Sequence, residues 1–158
     1  IVIACFDDTG LDAVRSLVSV PVLGIGEAAY HAASMIATKF SVITTLSRSV
    51  PGLENNLMRY GLAQKCMRVR ATDIPVLKLE EGDLTTLLKI QSEIREAITQ
   101  DHAEAIVLGC AGMADLMAQL SEEFGLPVID GVAAGVTFAE ALVNNRLSTS
   151  KIGAYSSE

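Results

Sequence analysis

Apolar and polar positions along the chain repeat with two different periods, and the switches between them outline the elements. Ile1 to Ala4 is a short apolar run, followed by polar Asp7-Asp8-Thr9-Gly10 and by Leu11 to Val18, which the spacing predicts as a short helix. Val20 to Ile25 reads as a second β-rich run, Glu27 to Lys39 as an Ala-rich helix, and Phe40 to Thr45 as a strand. A helix is expected after Pro51 through Leu53, Leu57 and Tyr60, then shorter extended pieces at "CMRVRA" and "IPVLKL". Leu84, Leu87, Leu88, Gln91, Ile94 and Ile98 mark one face of a long amphipathic helix. Ala105 to Gly109 reads as a buried strand, and Met113, Leu116, Met117, Leu120 and Phe124 stripe the next helix. "PVID" is a short strand and Val132 to Val143 the last helix. Strands that are apolar on both faces, alternating with helices, predict an α/β fold with parallel sheets.

The alternation contains an echo. "IVIACFDDTGLDAVRSLVSVPVLGIGEAA" and "IVLGCAGMADLMAQLSEEFGLPVIDGVAA" share one plan: an apolar strand ending in Cys, a small-residue turn, a helix, and Val-Pro-Val or Leu-Pro-Val into another strand. Cysteines are often buried simply as small hydrophobes. Two of them in equivalent places of a repeated unit, Cys5 and Cys110, point instead to chemistry. In open α/β sheets ligands bind beyond the carboxyl ends of the strands. A cysteine there is expected beside the next helix N-terminus, whose free N–H groups and dipole favour a thiolate. Two thiols across a cleft suit proton exchange at a carbon next to a carbonyl. A thiolate takes the proton from one face, and the opposed thiol returns one to the other. Amides around Gly109, Ala111 and Gly112 are candidates to hold the developing oxyanion. Such an arrangement calls for neither metal nor organic cofactor.

Composition narrows the alternatives. With 158 residues, 50% hydrophobic and 20% charged, the chain is long and apolar enough for one packed unit or two small lobes. A net charge of −7, with aromatics at only 4%, argues against nucleic acid or an anionic membrane surface as partner. No apolar run approaches a membrane span and no signal peptide is visible, so a cytoplasmic location is expected. The three cysteines form no C-x-x-C, which leaves neither a disulfide framework nor a zinc site indicated.

The residues that carry this reading also resemble a known family. "ACFDDTGL" and "VLGCAGM", with "SVITTL" between them, "PVIDGVAA" downstream and "TSKIGAY" at the end, are similar to the hydantoin and allantoin racemases of the Asp/Glu/hydantoin racemase superfamily. The resemblance implies two pseudo-symmetric, flavodoxin-like α/β lobes with the active site between them, cofactor-independent racemisation by two cysteines, a small-molecule substrate and a homo-oligomer. By motif match, Cys5 and Cys110 are the expected acid/base pair, while Phe6, Thr44, Thr45, Gly109, Ala111 and Gly112 are expected to line the substrate pocket. Residues 1–24 and 128–158 are assigned to the first lobe and 25–127 to the second. The family pattern also has a segment ahead of the first cysteine strand, with an Asn-Pro-Asn turn near the site. This sequence begins without it, so the first lobe is expected to be incomplete.

Other signals compete. "GIGEAA" (Gly24 to Ala29) matches G-x-G-x-x-A between a strand and a helix, which would suit an NAD-binding oxidoreductase. The next strand, however, ends in Thr44 and Thr45 rather than the acid that would bind a ribose, so tight turning and close packing explain the glycines better. "DTG" (Asp8 to Gly10) reads as a turn and N-cap; negative charge at Asp7 and Asp8 would raise a neighbouring thiol pKa. Thr44 and Thr45 could equally cap the next helix, and Asp130 could orient the pocket or cap the last one. Cys66 is expected to be structural or exposed, and His31 and His102 ordinary helix or loop residues. An arylmalonate-type decarboxylase, an Asp/Glu racemase of the same superfamily and a metabolite-sensing binding protein stay open beside the hydantoin reading.

Overall fold

The computed structural model describes residues 1–80 and 84–156. Strand β1 (Val2–Ile3) leads through helix α1 (Leu11–Leu17) to β2 (Leu23–Gly24), which pairs parallel to it, and β2 runs directly into α2 (Ile25–Ile36). β3 (Phe40–Thr44), α3 (Val50–Arg59) and β4 (Cys66–Ala71) follow. Next come α4 (Val76–Glu80), α5 (Leu84–Thr99) and β5 (Ala105–Leu108). The chain ends with α6 (Met117–Phe124), β6 (Val128–Asp130) and α7 (Gly131–Asn144). The second sheet is parallel throughout, in the order β4-β3-β5-β6. The expected α/β architecture with parallel sheets is therefore what the chain adopts.

Strands β3 and β5 are buried along their whole length, because helices cover both faces of the sheet they centre. Successive residues point to opposite faces. Phe40, Val42, Ala105 and Val107 join Tyr30 of α2 and Leu53 and Leu57 of α3 in one core. Ile43, Ile106 and Leu108 join Ile90 and Ile94 of α5 and Leu120 of α6 in the other. Below the second core, Arg70 of β4 makes a two-pronged bond to Asp101 at 2.6 and 2.9 Å, and the Ser41 hydroxyl donates to the same carboxylate.

One expectation changes. "IPVLKL" is not extended: Ile74 still donates its amide to the Thr45 carbonyl, but residues from Val76 turn into α4. Strand β4 has no further neighbour there, and Pro75, with φ preset and no N–H to satisfy, favours helix initiation. Strand β6 is hydrogen-bonded to β5 through the Ile106–Val128, Val107–Ile129 and Leu108–Asp130 register. The tail beyond α7 folds against α1 and the segment that follows it. Thr149 bonds Ser19 and Val20 carbonyls, Lys151 the carbonyls of Arg15 and Ser16, and Tyr155 the Asp12 carboxylate.

Asp8 ties these parts together. Its carboxylate accepts from the amides of Gly26 (3.1 Å) and Glu27 (2.8 Å) at the start of α2, and from the Tyr60 hydroxyl (2.8 Å) at the end of α3. It holds a left-handed backbone (φ 53°) in the turn after β1, where its own amide donates to the Cys5 carbonyl. The two glycines of "GIGEAA" make room for it. A Cβ on Gly24 would lie 1.9 Å from Asp8 Oδ1, and one on Gly26 2.3 Å from the Phe6 carbonyl oxygen. The helix end that would cradle a dinucleotide pyrophosphate is thus filled by an internal carboxylate.

Replacing Asp8 by Ala strands two amides and a hydroxyl. The expected cost is about 2–3 kcal/mol of unfolding free energy, measured by urea titration. The two buried carboxylates titrate with opposite sign. Burial holds Asp8 above its ordinary 3.8, so its contribution to stability falls as pH rises from 3.8 through its folded value. Arg70 holds Asp101 below 3.8, so its contribution is present above 3.8 and is lost as pH falls through its folded value. Asp101→Asn is therefore expected to flatten the acid limb of a stability-versus-pH curve, and Asp8→Asn to remove a decline above pH 3.8.

Candidate active site

The carboxyl ends of β1, β3 and β5 open into one cleft of about 420 Å³. Its wall is built from Ala4 to Asp7 after β1, from Thr44, Thr45, Leu46, Arg48 and Ser49 after β3, from Val76 of α4, and from Gly109 to Gly112 after β5. All eight residues singled out from the sequence, Cys5, Phe6, Thr44, Thr45, Gly109, Cys110, Ala111 and Gly112, stand on this cleft. Asp7 and Arg48, its two charged members, were not among them. The sequence marks Asp7 only as a charge near Cys5, and Arg48 not at all; the turn after β1 and a 3₁₀ helix at Ser47–Ser49 bring them to the cleft.

Each element contributes differently. Cys5 is exposed and follows β1 in a turn, while α1 begins only at Leu11 with Gly10 as its N-cap, so the expected helix N-terminus beside Cys5 is absent. Phe6 lines the cleft but is only 5% exposed, and its ring packs edge-on against Tyr30, 5.4 Å between centroids. Thr44 caps no helix. Its hydroxyl donates to the Gly109 carbonyl at 3.1 Å and locks β3 to the turn that carries Cys110. Gly109 has no room for a side chain, as a Cβ would sit 3.0 Å from Thr44 Cβ. Its amide is committed to the Ile43 carbonyl at 2.8 Å, which removes it from the candidate oxyanion donors and leaves the Ala111 amide and that of Gly112, which also reaches the Cys110 sulfur. Asp130 caps α7 by accepting from Val132 and Ala133 at 2.9 and 2.8 Å, and is not part of the cleft.

Cys110 is half-buried at the entrance to a 3₁₀ helix over Ala111–Leu116. Burial raises its thiol pKa above the ordinary value; the Gly112 amide pulls it back, and the nearby Cys5 and Asp7 raise it further. Cys66, on β4, faces a separate pocket, and burial pushes its thiol up to about 12. A third cavity of about 360 Å³ between α2 and α7 contains His31 and the Arg15–Glu27 ion pair but no thiol. No cluster of metal-ligating side chains occurs among the described residues. No helix among the described residues is long and apolar enough to cross a membrane.

Fold and cleft together define an α/β protein with two free thiols facing a ligand-sized cavity at the strand ends. The chain belongs to the Asp/Glu/hydantoin racemase family, whose model, described as Asp/Glu/Hydantoin racemase, matches residues 1–139. It is 51% identical to a hydantoin racemase from Rhizobium meliloti over 98% of this chain and 64% of that protein. The structure of an allantoin racemase from Klebsiella pneumoniae superposes with a TM-score of 0.96 at 46% identity, over 99% of this chain and 64% of the other. An allantoin racemase from Pseudomonas fluorescens gives 0.96 at 43% identity, over 99% and 67%. The chain thus spans about two thirds of the length of these relatives. A glutamate racemase from Bacillus anthracis (TM-score 0.67, 19% identity) and an arylmalonate decarboxylase (0.55, 18%) share the fold.

With iodoacetamide at about pH 7.5, Cys5 is expected to alkylate well before Cys66, and Cys110 to gain reactivity as pH rises. Peptide mass spectrometry of timed aliquots reads this order.

Proposed function

We propose that the protein is a racemase of 5-substituted hydantoins, allantoin among them, with Cys5 and Cys110 as the two acid/base groups and no cofactor. The observation that carries this is the convergence of both thiols on one cleft with the Ala111 and Gly112 amides. In one direction the Cys5 thiolate takes the C5 proton of the ring. The C–H electron pair moves into the adjacent carbonyl as an enolate, and the Cys110 thiol delivers its proton to the opposite face. Cys110 suits the protonated role, because burial disfavours its thiolate. The reverse direction exchanges the two roles, so both enantiomers are served.

The lining charges support a neutral ring as substrate. Among the described residues the cleft has one carboxylate, Asp7, and one guanidinium, Arg48, with no net positive charge to hold a dicarboxylate such as aspartate, glutamate or an arylmalonate. A dinucleotide reading has no support at α2, where Asp8 occupies the helix end. We further propose two lobes closing on the cleft, with β1, β2, α1 and the tail in the first and the four-stranded sheet in the second. A homo-oligomer in the cytoplasm completes the reading.

Single enantiomers of allantoin and 5-benzylhydantoin in D₂O test it, with optical rotation and C5 deuteration followed together. The whole protein is expected to bring the rotation to zero with deuterium uptake, and Cys5→Ser or Cys110→Ser to slow racemisation by about 10³-fold or more. Binding without exchange by the folded wild type would instead indicate a sensor, and CO₂ release from an arylmalonate a decarboxylase.

A further inference from the structure

We propose that Asp7 and Arg48 form a substrate-recognition pair selecting a ureido group at C5 of the ring over an aryl or alkyl substituent; this rests on the hydantoin-racemase reading above. Both line the cleft that holds the two thiols. Among the described residues neither side chain is ion-paired or hydrogen-bonded, to each other or to anything else. Two opposite charges that share a cleft yet do not meet leave space between them for a group with an acceptor on one side and donors on the other.

Their backbones are held, so the pair is presented rather than merely present. The Asp7 carbonyl accepts from Asn56 Nδ2 at 2.8 Å, and the turn around it is clamped by Asp8. Arg48 sits in the 3₁₀ helix whose first residue, Ser47, donates both its amide (2.9 Å) and its hydroxyl (2.8 Å) to Asp73. Ser49 closes that turn on the Leu46 carbonyl at 2.9 Å.

The charge at Asp7 also works against thiol chemistry. It raises the Cys110 thiol and so opposes thiolate formation there. Activation of the cysteines does not account for it, whereas substrate binding does. A ureido group, –NH–CO–NH₂, matches the pair: its two syn N–H bonds fit the carboxylate as a fork, and its carbonyl oxygen on the far side accepts from the guanidinium. An aryl group would offer neither charge a hydrogen-bonding partner. A pocket that expects polar partners discriminates most strongly against the substrate that lacks them.

The experiment measures kcat and KM for allantoin and 5-benzylhydantoin with the whole protein as wild type, Arg48→Met, Arg48→Lys and Asp7→Asn. Each variant is assayed at its own pH optimum, and circular dichroism checks its folding. Wild type is expected to favour allantoin. Arg48→Met and Asp7→Asn are each expected to raise the allantoin KM by roughly tenfold, with a several-fold smaller effect on 5-benzylhydantoin, so that selectivity collapses. Arg48→Lys, which keeps the charge but not the fork, is expected to retain part of the selectivity. Equal losses on both substrates, a loss confined to kcat, or unchanged selectivity in both variants would overturn the proposal while leaving the racemase reading standing. Wild type that racemises neither compound would overturn both.

Discussion

The Asp8 carboxylate is the contact on which most of this architecture depends. Three donors converge on it from two helices, and it sits in the same turn that carries Cys5 and Asp7. A buried carboxylate survives only when its lone pairs are satisfied. The demand therefore fixes the end of β1, the start of α2 and the end of α3 relative to one another. Gly24 and Gly26 are the cost of that closeness, since neither position has space for a Cβ. One wall of the cleft is thus set by the capping of a helix.

The opposite wall is set by the sheet. Thr44 and Gly109 lie at the ends of neighbouring parallel strands, and the hydroxyl-to-carbonyl bond between them holds the Cys110 turn against β3. Parallel register brings the ends of β3 and β5 to one level, and the turn after β1, from the other sheet, closes the same cavity. The two helix starts meet as well. A Cβ on Gly131 at the head of α7 would lie 2.5 Å from the Ile25 carbonyl oxygen at the head of α2. The echoed units are thereby joined at their equivalent helix ends, where one is capped by its own Asp130 and the other by Asp8 from an earlier turn.

Within this frame the two thiols differ in surroundings. Cys110 is half-buried beside an amide, and Cys5 is exposed on a turn. In the proposed racemisation one thiol must be protonated while the other is not, and unequal burial is compatible with that starting state. Among the described residues, Asp7 and Arg48 are the charged members of the cleft, one of each sign.

Much of this was already determined by the sequence. Two hydrophobic periods gave the order and type of nearly every element, because periodicity reports which face is buried without reference to neighbours. The repeated strand-Cys-turn plan pointed to the residues that line the cleft. What the sequence did not decide depends on contacts between distant segments. "IPVLKL" has a strand-like pattern but no strand to pair with, so Pro75 starts a helix instead. "GIGEAA" has a nucleotide-loop pattern, yet its helix end is taken by a carboxylate some 18 positions earlier. The Gly109 amide is spent on β3, and β6 pairs with β5. Asp7 and Arg48 are far apart in sequence and come to one cleft only in the folded chain. Local pattern sets which face of each element is buried; tertiary packing decides which hydrogen-bonding groups remain free, and a site is made of those.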